Sequence, residues 1–116
     1  MNNLQKLKEE LGEEVIFGER NSYINLTLMK GDIGYDAGCL HGENRFNFRF
    51  IRGSRVHRAF KAKGYKFKVS PDNNNNVILW FDLEYAIEFR KVVHFVKQMH
   101  KFTGLGLIER PERAIY

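Results

Sequence analysis

The sequence predicts one α+β domain. We expect a mainly antiparallel sheet of about five to six strands, with a short N-terminal helix, a short central helix and a long C-terminal helix packed on it. Two observations predict this class: apolar and polar residues alternate strictly in the middle of the chain, and apolar residues recur at helical spacing towards both ends. The chain has 116 residues, of which 43% are hydrophobic, which suits one ordinary core. Residues 1–116 are therefore expected to form a single domain.

The first third of the chain is expected to begin with a helix and continue into strands. Three leucines at helical spacing, followed by a glycine in the position of a C-terminal cap, predict a helix over 3–11. A short apolar run predicts a strand near 13–17, and alternation predicts a half-buried strand over 23–30. Segment 33–40 is left open between strand and loop, because its glycines weaken a strand and can mark a bulge.

The middle of the chain holds the clearest alternation. The segment "RFNFRFIR", residues 45–52, predicts a strand whose phenylalanines point into the core and whose arginines point outwards. The pattern then becomes helical after Ser54, which is a suitable N-cap, and Gly64 is placed to end that helix. Alternation returns over 65–69 and predicts another strand, with its lysines facing outwards.

The last third is expected to contain a loop, a central strand and the long helix. Proline and four asparagines predict a loop over 70–76, and the apolar run at 77–81 predicts a central strand that includes Trp80. Asp82 is interpreted as the N-cap of a helix that ends at Gly104, whose wide apolar surface would suit either the sheet or a second copy in a homodimer. Three apolar residues of the tail are expected to pack on the domain: Leu107, Ile108 and Ile115.

The composition indicates a soluble, cytoplasmic protein without a membrane partner. A single cysteine, Cys39, excludes an internal disulfide and a multi-cysteine zinc framework. The first residues are polar and charged, which does not fit a secretory signal peptide. No apolar run approaches the ~18 residues of a membrane span.

The charge is concentrated in one segment. Residues 45–69 contain nine lysines and arginines and no acidic residue, so the rest of the chain has ten basic and fourteen acidic residues. We expect the nine cations to form one outward-facing surface that contacts nucleic acid (DNA or RNA) or an acidic protein surface. They are Arg45, Arg49, Arg52, Arg55, Arg58, Lys61, Lys63, Lys66 and Lys68.

Three functions fit this segment, and a solvated sheet face is the plain alternative. The leading hypothesis is a non-enzymatic nucleic-acid-binding protein that contacts phosphates, with Tyr23 and Tyr35 as exposed rings for stacking on bases. The second is a protein-interaction module or inhibitor, of the kind made by phages and mobile elements, that docks on an acidic groove of its partner. The third is a metal-independent ribonuclease using His57.

A second cluster of chemically active residues lies just before the basic segment. Twelve residues contain Asp32, Asp36, Cys39, His41 and Glu43, which are ligand types for a divalent metal. Their spacing matches no metal motif, and Asp beside Gly is ordinary turn chemistry, so we predict no metal site and no cofactor. Nothing in the sequence lowers the thiol pKa of Cys39, which disfavours a Cys39–His41 nucleophile pair. Whether these residues form any other site is left open.

Overall fold

The computed structural model describes residues 1–110 and confirms the α+β class, with three helices and a seven-stranded sheet. The elements are α1 (Asn3–Leu11), β1 (Ile16–Glu19), β2 (Tyr23–Lys30), β3 (Ile33–His41), β4 (Arg45–Ile51), α2 (Arg55–Ala62), β5 (Lys68–Val69), β6 (Asn76–Asp82), α3 (Ala86–Gln98) and β7 (Glu109–Arg110). A 3₁₀ turn, Met99–Phe102, follows α3 directly. Within residues 1–110, no helix has the length and apolar character needed to cross a membrane.

The sheet has the order β1-β2-β3-β4-β6-β5, and every neighbouring pair is antiparallel. The seventh strand, β7, pairs antiparallel with β3. The strand count exceeds the predicted five to six because β7, which has two residues and was not predicted, pairs with β3. Strand β6 was expected at the centre of the sheet. It is instead the second strand from one edge, next to the edge strand β5, and most of its residues are still buried.

The core lies on one face of the sheet, where the phenylalanines of β4 point as predicted. Phe46, Phe48 and Phe50 are all 1% exposed or less, because alternation sends them to the side that α2 and α3 cover. The ring of Phe48 lies 6.5 Å from that of Phe60 on α2 and 6.3 Å from that of Phe95 on α3. Burying such rings supplies much of the free energy that holds the helices on the sheet.

Segment 33–40, for which the sequence left strand and loop open, forms most of strand β3. It is a strand with an irregularity: its register with β2 shifts between Asn25 and Thr27, and Gly38 has a φ of 126°. The ring of Phe46 occupies the space beside Gly38 where any other residue would carry its Cβ. The glycine therefore lets the core ring pass close to the backbone of β3.

Strands β3 and β4 diverge, and the C-terminal segment fills the gap between them. They pair only over Cys39–His41 and Arg45–Asn47, while the first half of β3 pairs with β7. The N–H of Asp36 donates to the carbonyl of Ile108 at 2.8 Å, and Phe50 of β4 bridges to Leu107. The predicted packing of Leu107 is confirmed, since it is 3% exposed, and Ile108 is half-buried. Ile115 lies outside the described residues.

Two predicted boundaries are wrong. Asp82 is not a helix N-cap: it ends β6, its carboxylate accepts from the N–H of Glu84, and the helix begins at Ala86. The strand predicted over 65–69 is reduced to β5, because the residues before it turn their rings onto the core instead. Tyr65 lies 5.5 Å from Phe95 and Phe67 lies 5.8 Å from Phe50, measured between ring centroids.

Candidate nucleic-acid interface and polar cavity

The face of the sheet opposite α2 and α3 carries polar and aromatic side chains. Alternation along β4 places its arginines and Asn47 on this side, and the register places partners from three other strands beside them. We call this surface the polar face and define it by six residues: Tyr23, His41, Arg45, Asn47, Arg49 and Trp80.

One end of the polar face is a row of rings and one guanidinium. Tyr23, His41 and Arg45 are register partners across β2, β3 and β4. The His41 ring is stacked with that of Tyr23 at 5.9 Å and lies 5.2 Å from that of Trp80, between centroids. The guanidinium carbon of Arg45 lies 4.0 Å from the centroid of the Trp80 ring, a cation–π contact that holds the ring and the cation together.

The exposed rings differ from those that the sequence predicted. Tyr23 is exposed at 38%, as expected, but Tyr35 is only 7% exposed, because β7 pairs alongside it. Trp80 was expected in the core. It is half-buried on the polar face instead, because it lies opposite Asn47 in the register of β4 and β6.

Below the ring row, the polar face opens into a cavity of about 310 Å³. We call this the polar cavity. Arginine, amide, imidazole and carboxylate groups meet in it, supplied by β2, β3, β4 and β7. Its lining includes Tyr23, Asp36, His41, Asn47, Arg49 and Arg110. Cys39 lies in its wall, and Asp72 reaches it from the loop after β5.

A buried carboxylate between two arginines forms the base of the polar cavity. Asp36 is 5% exposed, and its Oδ1 lies 3.0 Å from Nη2 of Arg110 and accepts from the N–H of Gly38 at 2.9 Å. Its Oδ2 lies 3.8 Å from Nε of Arg49, which is an ion pair without a hydrogen bond. A buried carboxylate needs such partners to remain charged. Both oxygens of the Asp36 carboxylate are therefore paired with arginines.

The other acidic members of the cluster lie apart. Asp32 and Glu43 are exposed in the turns on either side of β3, and neither lines the polar cavity. Across residues 1–110, no group of three or more histidine, cysteine, aspartate or glutamate side chains is arranged to hold a metal ion.

Two titratable groups of the polar cavity, Cys39 and His41, have pKa values shifted in the direction that favours their uncharged forms near neutral pH. Burial raises the pKa of the Cys39 thiol to about 12, and the nearby charge of Asp36 adds to this. Burial lowers the pKa of His41, and the charges of Arg45 and Arg49 lower it further. Nδ2 of Asn47 lies 3.2 Å from Nε2 of His41, so the amide donates to the tautomer that is protonated on Nδ1. A raised thiol pKa gives a poor nucleophile.

The predicted single surface of nine cations is wrong, because these residues lie on both sides of the sheet and in the segments between its elements. Arg45 and Arg49 lie on the polar face, and Lys68 joins them because it pairs with Ile78, which is also the partner of Arg49. Lys66 is exposed in the segment that leads into β5, and Arg52 lies in the turn after β4. The remaining four are exposed at α2, on the helix-covered side of the sheet: Arg55, Arg58, Lys61 and Lys63.

Most of these cations have no intramolecular counter-charge. Among residues 1–110, only Arg49 of the nine has a carboxylate oxygen within 4.0 Å. The ammonium of Lys63 lies 5.6 Å and 5.5 Å from the centroids of the Phe60 and Phe95 rings. A ring contact of this kind does not neutralise the charge, so the eight cations without a carboxylate remain available to an external anion.

His57, the residue expected to act in a ribonuclease, has a structural environment. It is 8% exposed, and its Nδ1 accepts from the backbone N–H of Gly53 at 2.9 Å. Its ring packs edge-on against that of Phe67, with centroids 4.8 Å apart. Burial lowers the pKa of His57, and the charges of Lys61 and Arg52 lower it further.

Sequence reasoning missed Arg110 and Asn47 as members of this site. For Asn47 a signal existed, because it is the one uncharged polar residue on the arginine side of the alternating segment. For Arg110 no local pattern exists, since its partner Asp36 is distant in sequence and is reached only through β7. Comparison with protein-family models, curated proteins and solved structures found no match to this chain.

Proposed function

We propose that the protein is a non-enzymatic nucleic-acid-binding domain that holds a single strand across the polar face. The observation that carries the proposal is that aromatic rings and unpaired cations share this face. Tyr23 and Trp80 offer rings, while Arg45 and Lys68 offer charge without a carboxylate within 4.0 Å in residues 1–110. Single-strand-binding proteins combine these two elements, stacking platforms and a cationic track.

The two elements would act on different parts of the strand. A base stacked on an aromatic side chain contributes ~1–3 kcal/mol, and every base has a flat face, so this part is tolerant of sequence. Arg45 and Lys68 would meet backbone phosphates, and each neutralised phosphate releases condensed counterions. Stacking should therefore set the preference for single strands, and the cations should set the dependence on salt.

The test is fluorescence anisotropy with labelled, hydroxyl-terminated oligonucleotides, single-stranded and double-stranded, over a series of salt concentrations. We expect the single strand to bind more tightly. Replacing Arg45 and Lys68 together by glutamine should reduce the slope of log affinity against log salt by about two, one unit for each phosphate contact. Tyr23→Leu should weaken single-strand binding and leave that slope unchanged.

The matched control replaces Arg58 and Lys61 by glutamine. This removes the same charge from exposed positions on α2, away from the polar face. We expect the salt slope to change much less in this variant. No binding near physiological salt, or an equal loss in both double variants, would contradict the proposal. RNA incubated with the protein should remain intact, and cleavage would favour the ribonuclease hypothesis instead.

The cations of α2 favour a second candidate function. Arg55, Arg58 and Lys61 are exposed on one short helix without a carboxylate within 4.0 Å in the described part of the chain. Such a surface suits an acidic protein partner, as in an interaction module or inhibitor. Capture of a partner from cell extract that is lost with the α2 control variant, and retained with the polar-face variant, would support this candidate.

A further inference from the structure

Three residues that line the polar cavity each carry a buried polar atom without a hydrogen bond. Within residues 1–110, Oδ1 of Asn47, Nε of Arg49 and Nε of Arg110 are buried and have no hydrogen-bond partner. The Asn47 side chain is also almost fully enclosed, since this residue is 4% exposed. Buried polar groups are nearly always paired, so three unpaired ones on side chains that line one cavity indicate a ligand that supplies the missing partners.

The charges of the polar cavity favour a neutral ligand over a free anion. Two arginines, Arg49 and Arg110, face two carboxylates, Asp36 in the base and Asp72 at the rim. His41 adds no charge near neutral pH, because burial lowers its pKa. A phosphate would find the arginines already balanced. A polar, uncharged ligand can hydrogen-bond to these side chains without charge repulsion from the two carboxylates.

The missing partners define the hydrogen-bonding character of the ligand. The two Nε–H groups require two acceptors, and the carbonyl oxygen of Asn47 can take two donors. Guanine has this combination: O6 and N7 are adjacent acceptors, and N1–H and the N2 amino group are adjacent donors. Adenine, cytosine and thymine each carry only one hydrogen-bond donor group on the base, so none of them offers two adjacent donors. Arginine is also the side chain most often found on O6 and N7 of guanine.

The walls and the size of the polar cavity suit a base. The rings of Tyr23 and His41 are stacked at one side of it, which offers an aromatic surface. Proteins recognise unstacked bases by such stacking together with hydrogen bonds to their edges. The volume of about 310 Å³ can hold one flat heterocycle, and its opening lies on the same face as the proposed strand.

We propose that the polar cavity accepts one unstacked guanine of the bound strand, with Arg49 and Arg110 donating to its O6 and N7 edge and Asn47 accepting from its N1 and N2 edge. The inference rests on the proposed single-strand binding and adds a base preference to it. It concerns a neutral base, so it is separate from the phosphate contacts of Arg45 and Lys68.

The experiment uses labelled, hydroxyl-terminated oligo(dT) in which one central nucleotide is dT, dG, dA or dC. We expect the strand with dG to bind about tenfold more tightly than the other three, within the range known for a well-placed bidentate base contact. Two analogues test the edges separately. A 7-deazaguanine lacks the N7 acceptor and a hypoxanthine lacks the N2 amino group, and each should lose a large part of the tenfold preference.

The protein side is tested as a ratio of affinities, dG strand over dT strand, measured on each variant. Arg49→Lys keeps the charge but removes the planar N–H donors, so the ratio should fall towards one. Lys61→Gln, at an exposed position on α2, should leave the ratio unchanged. Thermal unfolding checks that each variant is folded, and the analogue experiment needs no variant.

The outcomes separate the two proposals. If all four strands bind within twofold of one another, the guanine site is refuted, the three atoms are satisfied by water alone, and single-strand binding still stands. A preference for another base, or an Arg49→Lys ratio equal to that of the wild type, also refutes the guanine site. If no strand binds, the proposed function fails and the site fails with it.

Discussion

Replacing Gly38 by alanine should destabilise the domain strongly. Its φ of 126° is unfavourable for a residue with a Cβ, and that Cβ would lie 2.3 Å from Cζ and 2.5 Å from Cε1 of Phe46. The ring has little room to move, because Phe46 is 0% exposed and packs against Phe48 at 5.2 Å. Backbone strain and an overfilled core therefore act together.

The magnitude follows from these two contributions. An unfavourable backbone conformation costs ~1–3 kcal/mol and an overfilled core costs ~1–3 kcal/mol, so the sum is roughly 2–6 kcal/mol. This is a large share of the ~5–15 kcal/mol by which domains are usually stable. At about 4 °C per kcal/mol for a chain of this length, Tm should fall by roughly 8–24 °C. Circular dichroism during thermal unfolding measures it directly.

Two further variants separate strain from packing. Gly31 also has a positive φ, 62°, but its added Cβ would meet nothing within 4 Å, so Gly31→Ala should cost only the strain of about 1–2 kcal/mol. Adding Phe46→Leu to Gly38→Ala should cost less than the sum of the two single changes, because the smaller side chain makes room. If Gly38→Ala melts no lower than Gly31→Ala, the close contact between Gly38 and the Phe46 ring is refuted.

Two other predictions follow from the pKa shifts. The Cys39 thiol, with its pKa raised to about 12 by burial, should react far more slowly with a disulfide reagent at mildly alkaline pH in the native protein than in urea, and comparable rates would contradict its burial. Burial also holds the pKa of His57 below its ordinary 6.5 in the folded protein, so the unfolded chain binds more protons as the pH falls. The contribution of His57 to the free energy of unfolding should therefore be fully present above pH 6.5 and should be lost as the pH falls through 6.5 towards the folded pKa. His57→Gln should reduce that fall, and an unchanged pH profile would contradict the assignment.

Local patterns predicted the parts of the fold that local rules determine. Alternation over 45–51 predicted that Phe46, Phe48 and Phe50 lie in the core. Successive side chains of a strand point to opposite faces of the sheet, so every second residue lies on the same face. Ser54 caps α2 by accepting from the N–H of His57, and Gly12 ends α1 with a positive φ, as predicted. Each of these outcomes depends on a few neighbouring residues.

The sequence could not predict what depends on contacts between distant segments. Arg110 reaches Asp36 only because β7 enters the gap between β3 and β4, and the same pairing buries Tyr35. The helix predicted from Asp82 failed for a related reason: β4 pairs with β6 as far as Asp82, so the residue stays in the sheet. Capping preference could not reveal that a strand competed for the same residue.

The late position of β7 has a consequence for how the domain matures during synthesis. The pairing of Gly34 with Arg110 joins residues 76 positions apart, so β3 leaves the ribosome long before the segment that completes it. Until residues 106–110 arrive, the backbone amide of Asp36 and the edge of β3 at Gly34 and Tyr35 lack these hydrogen-bond partners, and unpaired strand edges favour pairing with other chains. A nascent chain stalled before this point would expose an unpaired strand edge and would tend to aggregate. Formation of β7 should therefore protect the domain against aggregation.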